Sequence, residues 1–375
     1  MAETIETDVL VIGAGIAGAG VAADLARDFR VVIVEREDRP GYHSTGRSAA
    51  LFIQNYGNAV IRTLTRASAP LFHGADRGLF PHPLLSQRGV LYVASAETAE
   101  EYAKLLAEAE GIREISIAEA MAMVPILRKE TLVSASYEED AQDIDVAALH
   151  QGWLKAAKAR GVRLVTDNGV LSAERTEGRW IVETRDFRIA APVVVNASGA
   201  WADTVARSFG IEPVGLQPLR RSMAVLPGPE GYDIRRWPLL NDAAETWYAK
   251  PDGGRLFVSP SDEDPVEPHD AFPDDMVLAE GLHRFEQAVT MPVTHVERSW
   301  AGLRTFAPDR TPVAGFDRTA DGFFWLAGQG GYGIQTSPGL SRLAGALIRR
   351  ATLPAEMEAI VPALSPNRFR VSRPE

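Results

Sequence analysis

The stretch that decides the fold is Val9 to Gly20, VLVIGAGIAGAG. An apolar run of strand length passes straight into glycines, and Gly13, Gly15 and Gly18 fill the pattern G-x-G-x-x-G. Each glycine answers a separate mechanical need. Gly13 permits a tight turn out of a strand, Gly15 lets backbone N–H groups approach a pyrophosphate, and Gly18 lets the next helix pack closely on the sheet. A helix-like run, GVAADLARDF, follows, and a second apolar strand, VVIVE, ends at Glu35. An acidic residue at about that spacing, ~20 residues on, is the one expected to bond a ribose hydroxyl. The stretch predicts a strand-turn-helix-strand unit that binds a dinucleotide and leaves open which one.

Working outward, the signature recurs twice in altered form. APVVVNASGAWAD, Ala191 to Asp203, brings an apolar strand to Asn196, Ala197, Ser198 and Gly199. FFWLAGQGGYGIQTSPG, Phe323 to Gly339, is a strand, a glycine-rich turn and the start of a helix that continues through RLAGALIRR. Three such segments at the start, middle and near the end of the chain predict an α/β nucleotide domain assembled from separated pieces, with a second domain inserted between them. An NAD-dependent dehydrogenase would instead continue its βαβ units directly after Glu35. Here REDRPGYHSTGRSAALF follows, rich in N–H and hydroxyl donors and suited to a long anionic cofactor. The expected division is 1–80, 145–215 and 301–375 for the Rossmann-like nucleotide domain, and 81–144 and 216–300 for an inserted α+β substrate domain. In the insert, GVLYVAS, MAVLPG, ETWYAK and GRLFVSP read as strands of a mostly antiparallel sheet. ETAEEYAKLLAEAE reads as a helix closed by Gly111, and Asp145 reads as the N-cap of the helix that returns to the nucleotide domain. The loop SPSDEDPVEPHDAFPDD reads as a solvated connection, with a role as an active-site lid as the alternative.

Composition narrows the function. With 375 residues, 46% of them hydrophobic, the chain can build a sizeable core and two domains. A formal charge of -11 excludes the concentrated basic surface that nucleic acid needs. No run of about eighteen uncharged apolar residues is present, and the acidic N-terminus leads at once into the first strand, so a cytoplasmic enzyme is expected. The absence of cysteine excludes disulfides, thiolate metal sites and a cysteinyl-linked cofactor. The seven histidines show no metal-ligand spacing, His283 with Glu286 reads as a solvated helix face, and no metal is expected. Asn196-Ala197-Ser198 fits the glycosylation pattern N-x-S but ends a buried strand, where it carries no such meaning.

GAGIAG, PGYHSTGRSAA, WAGLRTF (Trp300 to Phe306) and GQGGYGIQTS (Gly328 to Ser337) resemble the FAD-dependent D-amino-acid oxidase and glycine oxidase superfamily, nearest its bacterial D-arginine dehydrogenase and D-amino-acid dehydrogenase branch. The resemblance covers nearly the whole chain and implies FAD, expected to be noncovalent because the chain has no cysteine and His43 reads as a packing residue. Carried over by position, it puts Glu35 and Arg36 on the adenosine ribose, Gly15 and Ser44 near the pyrophosphate, and Arg47, Ser48 and Ala49 along the flavin. Val170 falls where the family holds the adenine by backbone groups. Gly331, Tyr332, Gly333, Ile334 and Gln335 match the turn facing the flavin pyrimidine. Gly13, Ile16, Ala17, Gly18, Thr45, Ala197, Gly199, Trp201, Gly302, Arg304 and Gly330 complete the implied cofactor set. The turn has a physical rationale: reduced flavin gathers negative charge near N1 and C2=O, and a helix N-terminus offers free N–H groups there.

The resemblance also implies a reaction. A D-amino acid gives a hydride to flavin N5, and the imino acid formed hydrolyses to a 2-oxo acid and ammonia. The protein must hold the reacting carbon, keep the amine neutral and exclude water. Arg304 matches the family's carboxylate-binding arginine, whose planar fork grips both oxygens. Arg221 is a second candidate at that end, with its neighbour Arg220 as the alternative, and Tyr248 and Tyr56 match tyrosines that touch the substrate. Val90 and Leu51 stand where the arginine-preferring relative carries an acid and a histidine. With Ile53 and Gly331 in the same pocket, the two changes predict neutral, apolar substrates, although Asn241 and Asp242 remain possible sources of polarity. Three other readings stay open. One is a secondary amine or glycine oxidase, acting on substrates such as sarcosine or proline. Another is a 2-hydroxy-acid enzyme, which would need a histidine base, whereas His43 is placed only for a covalent flavin link. The third, a non-enzymatic flavin scaffold, has no use for Arg304, Tyr248 and Arg221 together. The expected partners are a small amino acid and an electron acceptor of unspecified kind, and the oligomeric state is not legible.

Overall fold

The computed structural model of the chain describes residues 3–74 and 76–370. Val9–Ile12, Val31–Val34, Val193–Asn196 and Phe323–Ala327 are short apolar runs, buried at nearly every position. Strands apolar on both faces suit a parallel sheet covered on both sides. They lie in one six-stranded sheet in the order Arg163–Val165, Val31–Val34, Val9–Ile12, Val193–Asn196, Phe323–Ala327, Val313–Phe316. All neighbours are parallel except the last pair. The three strands that carry the recurring glycine signature are therefore adjacent and point the same way, and their turns gather at one end of the sheet.

Alternation along Val9–Ile12 divides the core. Val9 and Val11 pack against helices Ile16–Leu25, Ala59–Phe72, Val146–Ala159 and Gly333–Arg349. Leu10 and Ile12 face the other side, toward Trp180, Val182 and Ile189 of a four-stranded sheet and toward helix Ala202–Ser208. The N-cap of helix Val146–Ala159 is Asp145, whose carboxylate accepts the Ala148 N–H at 2.8 Å. Helix Ala99–Glu108 ends at an extended Ala109, ahead of Gly111.

The second layer is an eight-stranded sheet in the order Arg298–Phe306, Gln217–Pro227, Arg255–Ser259, Tyr248–Asp252, Leu239–Asp242, Val90–Ala94, Ser134–Glu138, Arg113–Ile115. It is antiparallel apart from the pairing of Leu239–Asp242 with Val90–Ala94. The division expected between 300 and 301 falls inside strand Arg298–Phe306, which pairs along its whole length with Gln217–Pro227. Ladder pairing, which local composition does not reveal, keeps Gly302 and Arg304 on this sheet. A small sheet of Leu51–Phe52, Gln142–Ile144 and Leu85–Gln87 stitches the two layers together.

The acidic loop also departs from expectation, because its carboxylates meet cations from distant segments. Asp262, 8% exposed, accepts from the Ser222 N–H and hydroxyl at 2.6 and 2.7 Å. Asp264 pairs with Arg220 at 2.6 Å, Glu263 with Arg221 and Arg310, and Asp270 with Arg47. The loop is a tied strap. Asn196 is fully buried, donates to the Ala202 carbonyl and accepts from Ser198, so the N-x-S triplet braces a turn.

Candidate active site

A cavity of about 800 Å³ runs from the glycine turns of the parallel sheet to the face of the eight-stranded one. At the first end the backbone sets the shape. Gly13 has φ 99°, and a Cβ there would lie 2.6 Å from the Ala197 carbonyl oxygen. A Cβ on Gly18 would meet the Gly13 carbonyl oxygen at 1.9 Å, so Gly18 packs the helix onto the turn and does not itself line the cavity. Thr45 Oγ1 accepts the Ile16 N–H at 2.9 Å and would touch a Cβ on Gly15 at 3.2 Å. Glu35 accepts the Ala14 N–H at 2.8 Å and the Glu37 N–H at 3.0 Å. Sequence reasoning missed His150, whose Nε2 lies 2.8 Å from the Ala14 carbonyl. Burial holds its imidazole below the usual range, so a neutral ring donates to that carbonyl and braces the turn.

Ile16, Ala17, Ser48, Ala49, Val170, Ala197 and Gly199 all line this cavity. So does a cluster around Trp201. The Arg36 guanidinium stacks 4.3 Å from the Trp201 ring and bonds Glu37, and His43 bonds Glu37 at 2.9 Å with its ring 4.5 Å from Trp201. Burial raises the Glu37 carboxyl, but the bonds from His43 and Arg36 outweigh it and hold the group below its usual value. Ser44 donates to the Leu303 carbonyl at 2.7 Å. Arg47 donates to the Ala271 and Ala301 carbonyls and pairs with Asp270, so its head ties the strap to the sheet.

Where the two sheets meet, the N-terminus of helix Gly333–Arg349 opens on the cavity through Gly330, Gly331, Tyr332, Gly333, Ile334 and Gln335. A Cβ on Gly330 would meet the Phe306 ring at 2.2 Å, and one on Gly331 the Arg304 Cζ at 3.1 Å. These glycines let the turn sit against strand Arg298–Phe306. Gln335 differs from expectation: its amide bonds both backbone groups of Ile53 and the Thr65 hydroxyl, so it offers the cavity main chain and not its side chain.

At the far end side chains set the chemistry. Strand Arg298–Phe306 turns Trp300, Gly302 and Arg304 toward the cavity at period two. Among the described residues the Arg304 guanidinium has one hydrogen bond, from Nη1 to Tyr56 Oη at 3.3 Å, and no carboxylate within 4.0 Å. Burial lowers its pKa, but the fields of Tyr56, Tyr248, Glu245 and Glu263 more than reverse this, so the cation is retained. Arg221 lines the cavity too, with Nε on the Asp262 carbonyl at 2.9 Å and Nη2 on Glu263 at 3.1 Å. Burial first, then Arg304, lower its pKa. Arg220 turns outward to Asp264. Tyr248, Tyr56 and Tyr332 complete this end, and burial pushes the Tyr332 hydroxyl up to about 12.

Beside the arginines is an apolar wall of Val90, Leu51, Ile53, Leu105 and Leu239 with Tyr92. Asn241 lines it, while Asp242 is buried behind and holds the Thr246 hydroxyl at 2.7 Å. Sequence reasoning missed Glu138, which faces Val90 across the ladder, is 4% exposed, and accepts from Tyr92 and Asn55 at 2.9 Å each. Burial raises its pKa. No motif marks it; only strand pairing brings it here.

The chemistry of the lining fits a long anionic dinucleotide. Two helix N-termini open on one cavity, and neither has an acidic residue in its first turn. The glycine turns form a cradle that a Cβ would fill. No group of three or more His, Asp or Glu able to hold a metal occurs among the described residues, and none of their helices is long and apolar enough to cross a membrane.

Comparison with known proteins agrees. The chain is 27% identical over 356 residues to mitochondrial sarcosine dehydrogenase of Mus musculus, covering 88% of this chain and 38% of the relative, so it spans about two-fifths of that protein. It is 24% identical over 369 residues to glycine oxidase of Geobacillus kaustophilus, covering 92% and 93% of the two chains. Its fold matches L-proline dehydrogenase from P. horikoshii with a TM-score of 0.83 at 21% identity, over 98% of both chains. The family model for FAD dependent oxidoreductases (DAO) matches residues 8–347, and the chain belongs to that family, with FAD as its cofactor.

Proposed function

We propose that this chain oxidises the CH–NH bond of a D-amino acid with a neutral, apolar side chain, giving an imino acid that hydrolyses to a 2-oxo acid and ammonia. The observation that carries the reading is Arg304, a half-buried cation on the wall of the cavity with no carboxylate partner among the described residues. Desolvating such a charge is costly unless an anion meets it, and a guanidinium meets a carboxylate with two parallel bonds. FAD, when bound, supplies the hydride acceptor. The nucleotide segments 1–80, 145–215 and 301–375 would hold it, with Gly13, Gly15 and Ser44 near the pyrophosphate, Glu35 and Arg36 on the ribose, Val170 at the adenine, and the turn Gly330 to Gln335 at the flavin ring. Segments 81–144 and 216–300 would hold the substrate, together with strand residues Gly302 and Arg304.

Arg304 grips the substrate carboxylate, with Tyr56 and Tyr248 flanking it, and the apolar wall takes the side chain and keeps water out. Tyr332 stays a neutral hydroxyl across the physiological range and is no base. On entry the substrate ammonium gives its proton to bulk water, and the hydrogen that leaves as hydride is the one on Cα of the neutral amine. Among the described lining residues the one histidine is His43, held by Glu37 and Trp201. A 2-hydroxy acid, whose hydroxyl proton is far less acidic than an ammonium, would lack a base at the clamp. The D configuration rests on the family resemblance. Sarcosine dehydrogenase and L-proline dehydrogenase among the similar proteins keep a secondary-amine substrate as the second reading. An anaerobic screen of D- and L-amino acids, sarcosine, proline and 2-hydroxy acids for loss of flavin absorbance decides between them. Bleaching by neutral D-amino acids is expected, and bleaching by sarcosine or proline alone would replace the reading.

A further inference from the structure

Arg304 and Arg221 line the cavity from neighbouring strands, yet their guanidiniums are in different states. Arg304 has no carboxylate within reach, whereas Arg221 is held by the Asp262 carbonyl at 2.9 Å and by Glu263 at 3.1 Å. In the ladder Arg221 pairs with Gly302, which puts Arg304 two residues along the neighbouring strand as its diagonal neighbour. Glu263 is fixed from two sides. Its Oε1 also accepts from Arg310 Nη2 at 2.9 Å, and the Arg310 guanidinium lies 3.8 Å over the Phe306 ring. The strap that carries Glu263 is pinned beside it by Asp262 on Ser222 and Asp264 on Arg220.

We propose that Glu263 is a specificity residue that occupies Arg221 and so restricts the site to substrates with a single carboxylate. Resting on the Arg304 clamp proposed above, the inference names the substrate class as monocarboxylic amino acids. With Glu263 in place, Arg221 has an anionic partner, and of the two guanidiniums Arg304 is the one without a carboxylate. A second carboxylate on the substrate would have to displace Glu263 from Arg221 or lie against it, and like charges that close repel. Without the Glu263 charge, Arg221 stands free beside Arg304 and the two can hold the two ends of a dicarboxylate.

The test uses holoenzyme and non-reacting anions, so turnover is not needed: isovalerate as the monocarboxylate and succinate as the dicarboxylate, with binding read from perturbation of the flavin spectrum. The parent should bind isovalerate and discriminate against succinate. Glu263→Gln should tighten succinate by roughly tenfold or more and change isovalerate by less than about threefold, the scale of one charge-assisted pair gained. The gain should vanish in Glu263→Gln combined with Arg221→Met. It should not appear in Arg310→Met, which loosens the other anchor of Glu263 but leaves its bond to Arg221. Equal tightening of both anions, no change in either, or a gain that survives loss of Arg221 would each overturn the inference. Failure of the parent to bind isovalerate would overturn the clamp as well, whereas isovalerate binding with unchanged selectivity in Glu263→Gln overturns this inference alone.

Discussion

The two ends of the cavity are built from different materials. The nucleotide end is shaped by main chain: glycines that admit no Cβ, helix N-termini, and side chains such as Thr45, Glu35 and His150 that bond the turn itself. The substrate end is shaped by side chains projected from an antiparallel sheet, with Arg304, Arg221, Tyr248 and Val90 contributed by four separate strands. Backbone recognition tolerates almost no change but specifies only a generic phosphate chain. Side-chain recognition can be altered one residue at a time, and it is there that the proposed reading puts the choice of substrate.

That contrast predicts where substitutions hurt most. Gly18→Val should be the most damaging, because its Cβ would sit 1.9 Å from the Gly13 carbonyl oxygen and 3.3 Å from Val11 Cγ1. Overpacking of that kind costs about 3 kcal/mol or more, and the variant should purify colourless or not at all. A yellow, fully loaded Gly18→Val would erase the distinction between the two ends.

Val90→Glu should act on substrate choice without loss of FAD. Val90 is 1% exposed and faces the buried Glu138, so a second carboxylate there would be unpaired beside a like group. kcat/KM for D-leucine, D-methionine and D-phenylalanine should exceed that for D-arginine and D-lysine in the parent, since each buried CH₂ gains roughly 0.8 kcal/mol. In the variant the apolar substrates should lose roughly tenfold or more. An unchanged ranking would move the side-chain pocket elsewhere.

His43→Ala sharpens the nucleotide end. His43 is bonded to Glu37 and packed on Trp201, and the parent should release intact FAD on acid or heat denaturation. The variant should bind FAD more weakly by about 1 kcal/mol, the scale of one hydrogen bond. Flavin that stays with the precipitated parent but not with His43→Ala would show a covalent link.

The smallest effect concerns stability at Glu138. Burial raises this carboxyl above its unfolded value, so the folded protein keeps its proton to higher pH than the unfolded chain does. Its contribution is fully present below the unfolded pKa and is lost as pH rises through the folded one. Glu138→Gln stays neutral throughout, so its Tm relative to the parent should improve as pH rises above the usual glutamate value. A difference independent of pH would mean that the Glu138 carboxyl is not shifted by folding.

What the sequence disclosed follows the same division. The glycine turns were legible because the residues that shape a turn are contiguous, and the three signature strands do lie side by side in one parallel sheet. The substrate end was legible only where a motif happened to coincide with it, as at WAGLRTF. The strap was not, since acid and proline look solvated until Arg47, Arg220 and Arg221 arrive from distant strands. Nor was Glu138, which comes to Val90 only through strand pairing, or the inward engagement of the Gln335 amide. The break at 300 was misplaced because a nine-residue strand joins both sides of it.

The most direct test of the account compares the rates at which D-leucine and its decarboxylated analogue, isopentylamine, bleach the flavin anaerobically in the parent and in Arg304→Met. The account predicts that the parent favours D-leucine strongly, and that Arg304→Met keeps its FAD but loses most of that preference, a loss on the order of 2 to 5 kcal/mol. If Arg304→Met reduces as fast with D-leucine as the parent does, or if isopentylamine serves the parent equally well, the clamp is not at Arg304 and the proposed reaction fails with it.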